Sequence, residues 1–406
     1  RSRVGGRIHT VTTAQLSKQG IGIDIGGAFI HGTDGNPLTK LAKSCKAQLC
    51  APGDSVALYD CTGQLIDKQV DTRMEKVFNE LLNACDFVRD KFYSDGPKQK
   101  RPKKHSVPFV SAVEELINKT PKRDSKKEKK SSCCKVENQE PAAEIKNGKD
   151  VSLGQCLNTI VPLYEKTSGK LSEQDKRILD WHISNVEGPC GCDIGLLSLR
   201  HWDQDDPYEF TGEHSLIKQG YGFLVDSLAD GIDIELEQKV TKIAYNPVTK
   251  KVTVHATNSS KKHNNNKNLL LEADIVLCTL PLGVLKKHSV EFVPPLPAEK
   301  RQSIDNLGFG ILNKVALFYE KPFWDENADY IGYASENRGE FYLFVNLYKL
   351  QKVPALVAVI TGQAAIDVES KPSKAVLASI HAVMKTIYGT KATKPARMVI
   401  TRWKSD

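Results

Sequence analysis

A lysine set among apolar residues is the position in this 406-residue sequence that most suggests chemistry. It lies in Leu307-Gly308-Phe309-Gly310-Ile311-Leu312-Asn313-Lys314-Val315. Read as a strand, this stretch puts Asn313, Val315, Leu317 and Tyr319 on one face and Lys314, Ala316 and Phe318 on the other. Both faces are largely apolar, so the Lys314 side chain is expected to point into protein. Desolvation lowers the pKa of an ammonium and suits it to hold a water or move a proton. A second concentration of chemistry is acidic. Asp203, Asp205, Asp206 and Glu209 crowd behind Trp202. Such a group is either a solvated turn or a mouth that attracts a cationic ligand. A third is Arg1-Ser2-Arg3-Val4-Gly5-Gly6-Arg7. Adjacent glycines let backbone approach a ligand closely, and flanking guanidinium groups can fork onto phosphate.

The elements that must position these residues alternate along the chain. Glu75 to Phe92 carries Val77, Phe78, Leu81, Leu82, Cys85 and Val88 at helical spacing. Leu153 to Leu163 and Glu173 to Val186 also read as helices. Ala273 to Thr279 reads as a buried strand stopped by Pro281, and Val353 to Thr361 as another. Lys251–Ala256 and Leu269–Leu271 read as a hairpin whose polar tip spans Thr257 to Asn268. The ten cysteines are scattered, which suggests reduced thiols. Cys190-Gly191-Cys192 and Cys133-Cys134 have no second pair at zinc-finger spacing, so no metal site is expected. No apolar run approaches the ~20 residues that span a bilayer. Residues 97–149 hold 15 Lys/Arg against 7 Asp/Glu, which accounts for the whole net charge of +8. Apart from Val107 to Ile117 that segment is polar and without period, so it reads as a disordered basic insertion. Its runs between 98 and 130 could serve nuclear import or touch nucleic acid.

Several segments follow the Arg/Gly-rich opening in order. They are Asp24-Ile25-Gly26-Gly27-Ala28-Phe29-Ile30-His31-Gly32, Trp202-Asp203-Gln204-Asp205-Asp206-Pro207-Tyr208-Glu209, Thr279-Leu280-Pro281-Leu282-Gly283-Val284-Leu285 and the Lys314 segment. Arg338-Gly339-Glu340-Phe341 and Thr401-Arg402-Trp403 continue the series. Together they resemble the flavin-dependent amine oxidases, and among these the lysine-specific histone demethylases of plant type, with polyamine oxidases as the nearest relatives. The resemblance covers nearly the whole chain outside 97–149. It implies an α/β protein in which a Rossmann-like FAD-binding domain, 1–53 and 209–310, is interleaved with a mixed-sheet α+β substrate domain, 54–96, 150–208 and 311–406. It implies FAD contacts from Arg1, Arg3, Gly5, Gly6, Arg7, Gly26, Gly27, Ala28, Val240, Thr279, Pro281 and Trp403. Lys314 would hold a water beside the flavin N5. Asp203, Asp205, Asp206, Glu209 and His31 would face the substrate.

The chain also departs from the family pattern. The Gly-x-Gly-x-x-Gly loop that presents backbone N–H groups to the pyrophosphate is not in it, nor are the family's C-terminal flavin contacts, so the FAD domain is expected to be truncated at both ends. Val151–Gly169 runs almost directly into Lys170–Val186, without the two-helix tower that docks a corepressor in animal demethylases. His31 stands where polyamine oxidases have histidine. Glu187-Gly188-Pro189-Cys190-Gly191-Cys192 replaces an apolar pocket wall.

The reaction implied is hydride removal beside an amine nitrogen, imine hydrolysis and release of hydrogen peroxide. The substrate implied is methylated lysine of the histone H3 tail, with a polyamine as the alternative. A catalytically inactive module that binds chromatin or a basic peptide is a third reading. A corepressor partner and a nuclear location follow from the first reading, and a cytoplasmic location is the alternative.

Overall fold

Residues 2–93, 110–119, 140–258 and 268–405 are described in a computed structural model. Arg1, Cys133 and Cys134 lie outside them, as do the basic runs 98–104 and 122–130. The chain divides into two units, 1–30 with 37–49 and 216–309, and 31–36 with 50–215 and 310–406.

The first unit holds a sheet in the order Glu291–Val293, Gln238–Asn246, Lys251–Asn258, Asn268–Ala273. Its first pair is parallel and the others antiparallel. Lys251–Asn258 pairs with Asn268–Ala273 as the hairpin reading expects. Ladder pairing stops at Ala273. The expected continuation through Thr279 is not a strand, and Ile275 and Leu277 are 85% and 86% exposed. Apolar residues alone do not make a strand: its N–H and C=O groups need a ladder partner, and none of the described residues supplies one there. Elsewhere in the unit Ile30, Ala42, Ile217, Tyr221 and Leu224 form a small core.

The second unit is built on a six-stranded sheet. Its order is Arg397–Ile400, Asn313–Phe318, Ala355–Ile360, Leu343–Asn346, Tyr330–Ala334, Val56–Asp60. Only the last pair is parallel. The helices Lys68–Phe92, Leu153–Ser168 and Glu173–Cys190 share one core with Leu58, Ala334, Tyr342 and Val359 of the sheet region. The helices Gly362–Ser370 and Ser373–Tyr388 share another core with Val315, Leu317, Phe344, Leu356 and Ala358. Helix starts follow local chemistry. Asp67 accepts from the Gln69 N–H, and Ser152 with Gln155 and Ser172 with Asp175 form capping boxes. Each fully buried Met74, Leu81 or Ile160 side chain contributes roughly 1.5–3 kcal/mol.

Part of the expected disordered insertion is folded. Val110–Lys119 and Glu140–Lys146 are helices, and Val113, Ile117, Ala142 and Ile145 lie in the same core as Met74 and Leu81. The charge of the whole segment conceals two short apolar faces, and burying those faces offsets the cost of ordering their helices.

Candidate functional site

In the first unit, two of the sequence motifs come together. Ile25 and Gly26 donate to the His9 carbonyl, and Gly27 donates to that of Arg7 at 3.2 Å. A methyl group on Gly26 would lie 2.0 Å from the Arg7 carbonyl oxygen, so only glycine allows this approach. Gly5 and Gly6 have φ of +92° and +56°, which permits the turn before it. Gly6 and Gly27 are exposed, and a methyl group on either would meet no atom closer than 3.9 Å. Their backbone can therefore be approached by a ligand. Arg7 is exposed beside them. Arg3 is differently placed: its guanidinium donates to the carbonyls of Val4, Gly6 and Ile8, so it shapes the turn. Ala28 is buried. Asp24 is a neighbour whose importance the motif alone did not show. Its buried carboxylate accepts from the Tyr221 N–H at the start of helix Gly222–Ala229 and from the Thr10 hydroxyl. Val240 is half-buried where the Gln238–Asn246 strand bulges against its neighbour, and Thr279 and Pro281 lie on the loop beyond Ala273. Open glycine backbone beside an exposed arginine fits a phosphate-bearing ligand.

In the second unit, Lys314 is half-buried on strand Asn313–Phe318, while Asn313 and Val315 through Phe318 are buried. The strand is fastened there. Lys314 N–H donates to Thr401 Oγ1 at 2.7 Å, and Thr401 N–H returns a bond to the Lys314 carbonyl at 3.0 Å. Asn313 Oδ1 accepts from the Thr401 hydroxyl and the Trp403 N–H. This places half-buried Trp403 close to the lysine.

His31 belongs to this second unit, not to the FAD-side segment 1–53 in which the sequence reading put it. Gly32, just after it, donates to His214 Nδ1 and lies against the Phe210 carbonyl. Asp34 N–H donates to the Thr211 carbonyl at 2.8 Å. The His31 and His214 rings meet edge to face with centroids 5.0 Å apart. Desolvation first, then His214 and Lys314, hold the His31 imidazole below its ordinary value. The residue is exposed by area yet crowded at its ring by His214. A neutral imidazole beside a cationic lysine can accept or donate one hydrogen bond without adding charge.

The acidic stretch divides in two. Asp203 is 1% exposed, and both its oxygens accept from Arg89 Nη1 at 2.8 Å. It therefore does not face a substrate, as the sequence reading expected, but anchors the stretch to helix Lys68–Phe92. Fully buried carboxylates need such a partner. Asp205, Asp206 and Glu209 are exposed. Asp205 and Asp206 also lie near the loop Cys190-Gly191-Cys192. Desolvation, then Asp205, Cys192 and Asp206, pushes the Cys190 thiol up to about 11, although the residue as a whole is exposed. That loop in turn touches the approach to Lys314, because Ile311 N–H donates to the Gly191 carbonyl. Lys314, His31, His214, the Cys190 loop and the exposed acids are thus gathered in one unit. His214, Arg89 and Cys190 were not assigned site roles from sequence, since each acts through a neighbour remote in the chain.

The family model described as flavin containing amine oxidoreductase matches residues 1–406. Lysine-specific histone demethylase 1 homolog 2 of Arabidopsis thaliana is 33% identical over an aligned stretch of 413 positions that covers 100% of this chain and 46% of that protein. Lysine-specific histone demethylase 1 homolog 1 of Oryza sativa subsp. japonica is 32% identical, over 100% of this chain and 42% of its own. Protein FLOWERING LOCUS D of Arabidopsis thaliana is 31% identical, with 100% and 44% covered. The chain spans about half the length of the curated relatives it matches. A solved structure of wild-type putrescine oxidase bound to putrescine has the same fold, with TM-score 0.62 and 17% identity over 100% of this chain and 78% of that one.

Proposed function

Because the chain belongs to the flavin containing amine oxidoreductase family, whose cofactor is FAD, we propose that it serves oxidative demethylation of methylated lysine in the histone H3 tail. When bound, FAD would supply two-electron oxidation of the carbon beside the amine to an imine, which water hydrolyses, and its reoxidation by dioxygen would yield hydrogen peroxide. Gly5, Gly6, Arg7, Gly26 and Gly27 would hold the cofactor, with Val240, Thr279 and Pro281 as further contacts. Lys314 would hold a water at the reacting centre and manage its proton. Neutral His31 would orient the amine without repelling it.

The observation that carries this reading is the division of the acidic stretch. Asp203 is spent on Arg89, and this fixes a short segment from which Asp205, Asp206 and Glu209 project to solvent. Exposed carboxylates so placed attract an extended basic peptide. The names of the relatives support the same substrate class, and a nuclear location accompanies it. A polyamine is the second reading, favoured by His31 near Lys314. The two are separated by offering the full-length enzyme a dimethyl-lysine H3 peptide and spermine in turn and measuring peroxide. Peroxide from the peptide supports demethylation. Peroxide from spermine alone supports the polyamine reading, and none from either contradicts both.

A further inference from the structure

Two segments singled out in the sequence, Glu187-Gly188-Pro189-Cys190-Gly191-Cys192 and Arg338-Gly339-Glu340-Phe341, have no part in the chemistry above. They meet at Glu187. Its carboxylate is 0% exposed at the end of helix Glu173–Cys190. Oε1 accepts from the Ile194 N–H at 3.0 Å and from Arg338 Nε at 3.1 Å. Oε2 is buried and has no hydrogen-bond partner among the described residues. Three glycines leave room for this arrangement. A methyl group on Gly362 would come within 2.6 Å of Glu187 Oε2, one on Gly188 within 2.8 Å of the Tyr342 hydroxyl, and one on Gly339 within 2.5 Å of the Thr361 carbonyl. Burial pushes the Glu187 carboxyl above the usual range in spite of Arg338.

A buried carboxylate with one idle oxygen is costly, and core packing does not require it. What it achieves is a tether. It holds the loop 190–194 at its middle and its far end: its own backbone carbonyl accepts from Cys192 N–H at 3.2 Å, and its side chain holds Ile194. Immediately before Cys192, Gly191 presents its carbonyl to Ile311, three residues before Lys314. Gly310 lies so close to the Gly191 oxygen that a methyl group there would be 1.8 Å away. The loop therefore cannot shift without moving the chain that enters the Lys314 strand.

We propose that Glu187 is a positioning residue for the Lys314 site, acting through the Cys190–Ile194 loop and braced by Arg338. The inference rests on the amine-oxidase reading for its effect on rate, but not for its effect on structure. Amide hydrogen exchange and steady-state kinetics on full-length Glu187→Gln, with Arg338→Gln as a second variant made from the more exposed side, test the two separately. The charge-assisted bonds lost should speed exchange at Ile194 and Ile311 about tenfold while Val357 is unchanged. The kcat should fall about tenfold with KM within about twofold, since substrate capture by the exposed acids is untouched. Faster exchange at Ile194 with Ile311 unchanged would overturn the tether. Uniformly faster exchange with a proportionate fall in all activity would make Glu187 merely structural. A wild-type enzyme that oxidises no amine would defeat the amine-oxidase reading, while exchange would still decide the tether.

Discussion

Ala355–Ile360 and Ile275–Cys278 are both uninterrupted apolar runs, yet the first is buried along its whole length and the second contains two of the most exposed large apolar side chains described. The difference lies in their partners. Ala355–Ile360 has a strand hydrogen-bonded on each side and a hydrophobic core against each face of its sheet. Ile275–Cys278 has no ladder partner among the described residues. Composition sets the tendency to be buried, and the rest of the fold decides whether it is met. The same contrast separates Asp203 from Asp205: two neighbouring acids, one buried on Arg89 and one left to solvent.

This comparison can be broken most forcefully in the central strand. Val357→Asp should cost on the order of 5 kcal/mol or unfold the second unit, while Leu277→Asp should change stability by less than about 0.5 kcal/mol. Urea melts followed by circular dichroism check both, and equal losses would mean the loop run is packed after all. Asp203→Ala leaves the buried Arg89 with only Asp86 and Asp90 and should cost about 3 kcal/mol in the same assay. Ile117→Ala should cost about 2–4 kcal/mol if helix Val110–Lys119 packs on the core. An unchanged melt would restore the disordered reading of that segment. Smaller still, Asp205→Asn with Asp206→Asn should leave the melt alone and raise KM for a cationic peptide roughly threefold to tenfold, less at high salt. A collapse of kcat at constant KM would instead place these acids in the chemistry.

The smallest effect concerns pH. The folded-state pKa of His31 is lowered from 6.5, so as pH falls below that value the unfolded chain binds the proton first. Its contribution to stability should decline from about pH 6.5 down to the folded-state pKa and be fully lost below it. Thermal melts across that window should show a shallower decline in His31→Gln than in the wild type. Parallel curves would exclude the histidine.

What was legible in the sequence was local. An apolar run around one lysine exposed the strand that carries Lys314, and helical spacing exposed the long helix ending at Phe92. The helices expected over 153–163 and 173–186 form, and the structure adds capping boxes of Ser152 with Gln155 and Ser172 with Asp175 at their starts. What was not legible was any feature decided by a distant partner. Nothing around Asp203 shows that Arg89, 114 residues earlier, will bury it. Nothing around Val113 and Ile117 shows that a core awaits them beyond the surrounding charges. Within the site, Lys314, His31 and the acids could each be named singly, but His214 and the Cys190 loop emerge only once the chain is folded.

The central claim is that Lys314 serves chemistry and not stability. Lys314→Met keeps the apolar stem at similar volume and removes the ammonium. Peroxide release and thermal melting, measured on one sample of the full-length variant loaded with FAD, test it directly. The account predicts a normal melt and a turnover lower by a factor on the order of 10² or more. Near-normal peroxide production would contradict it and remove Lys314 from the mechanism.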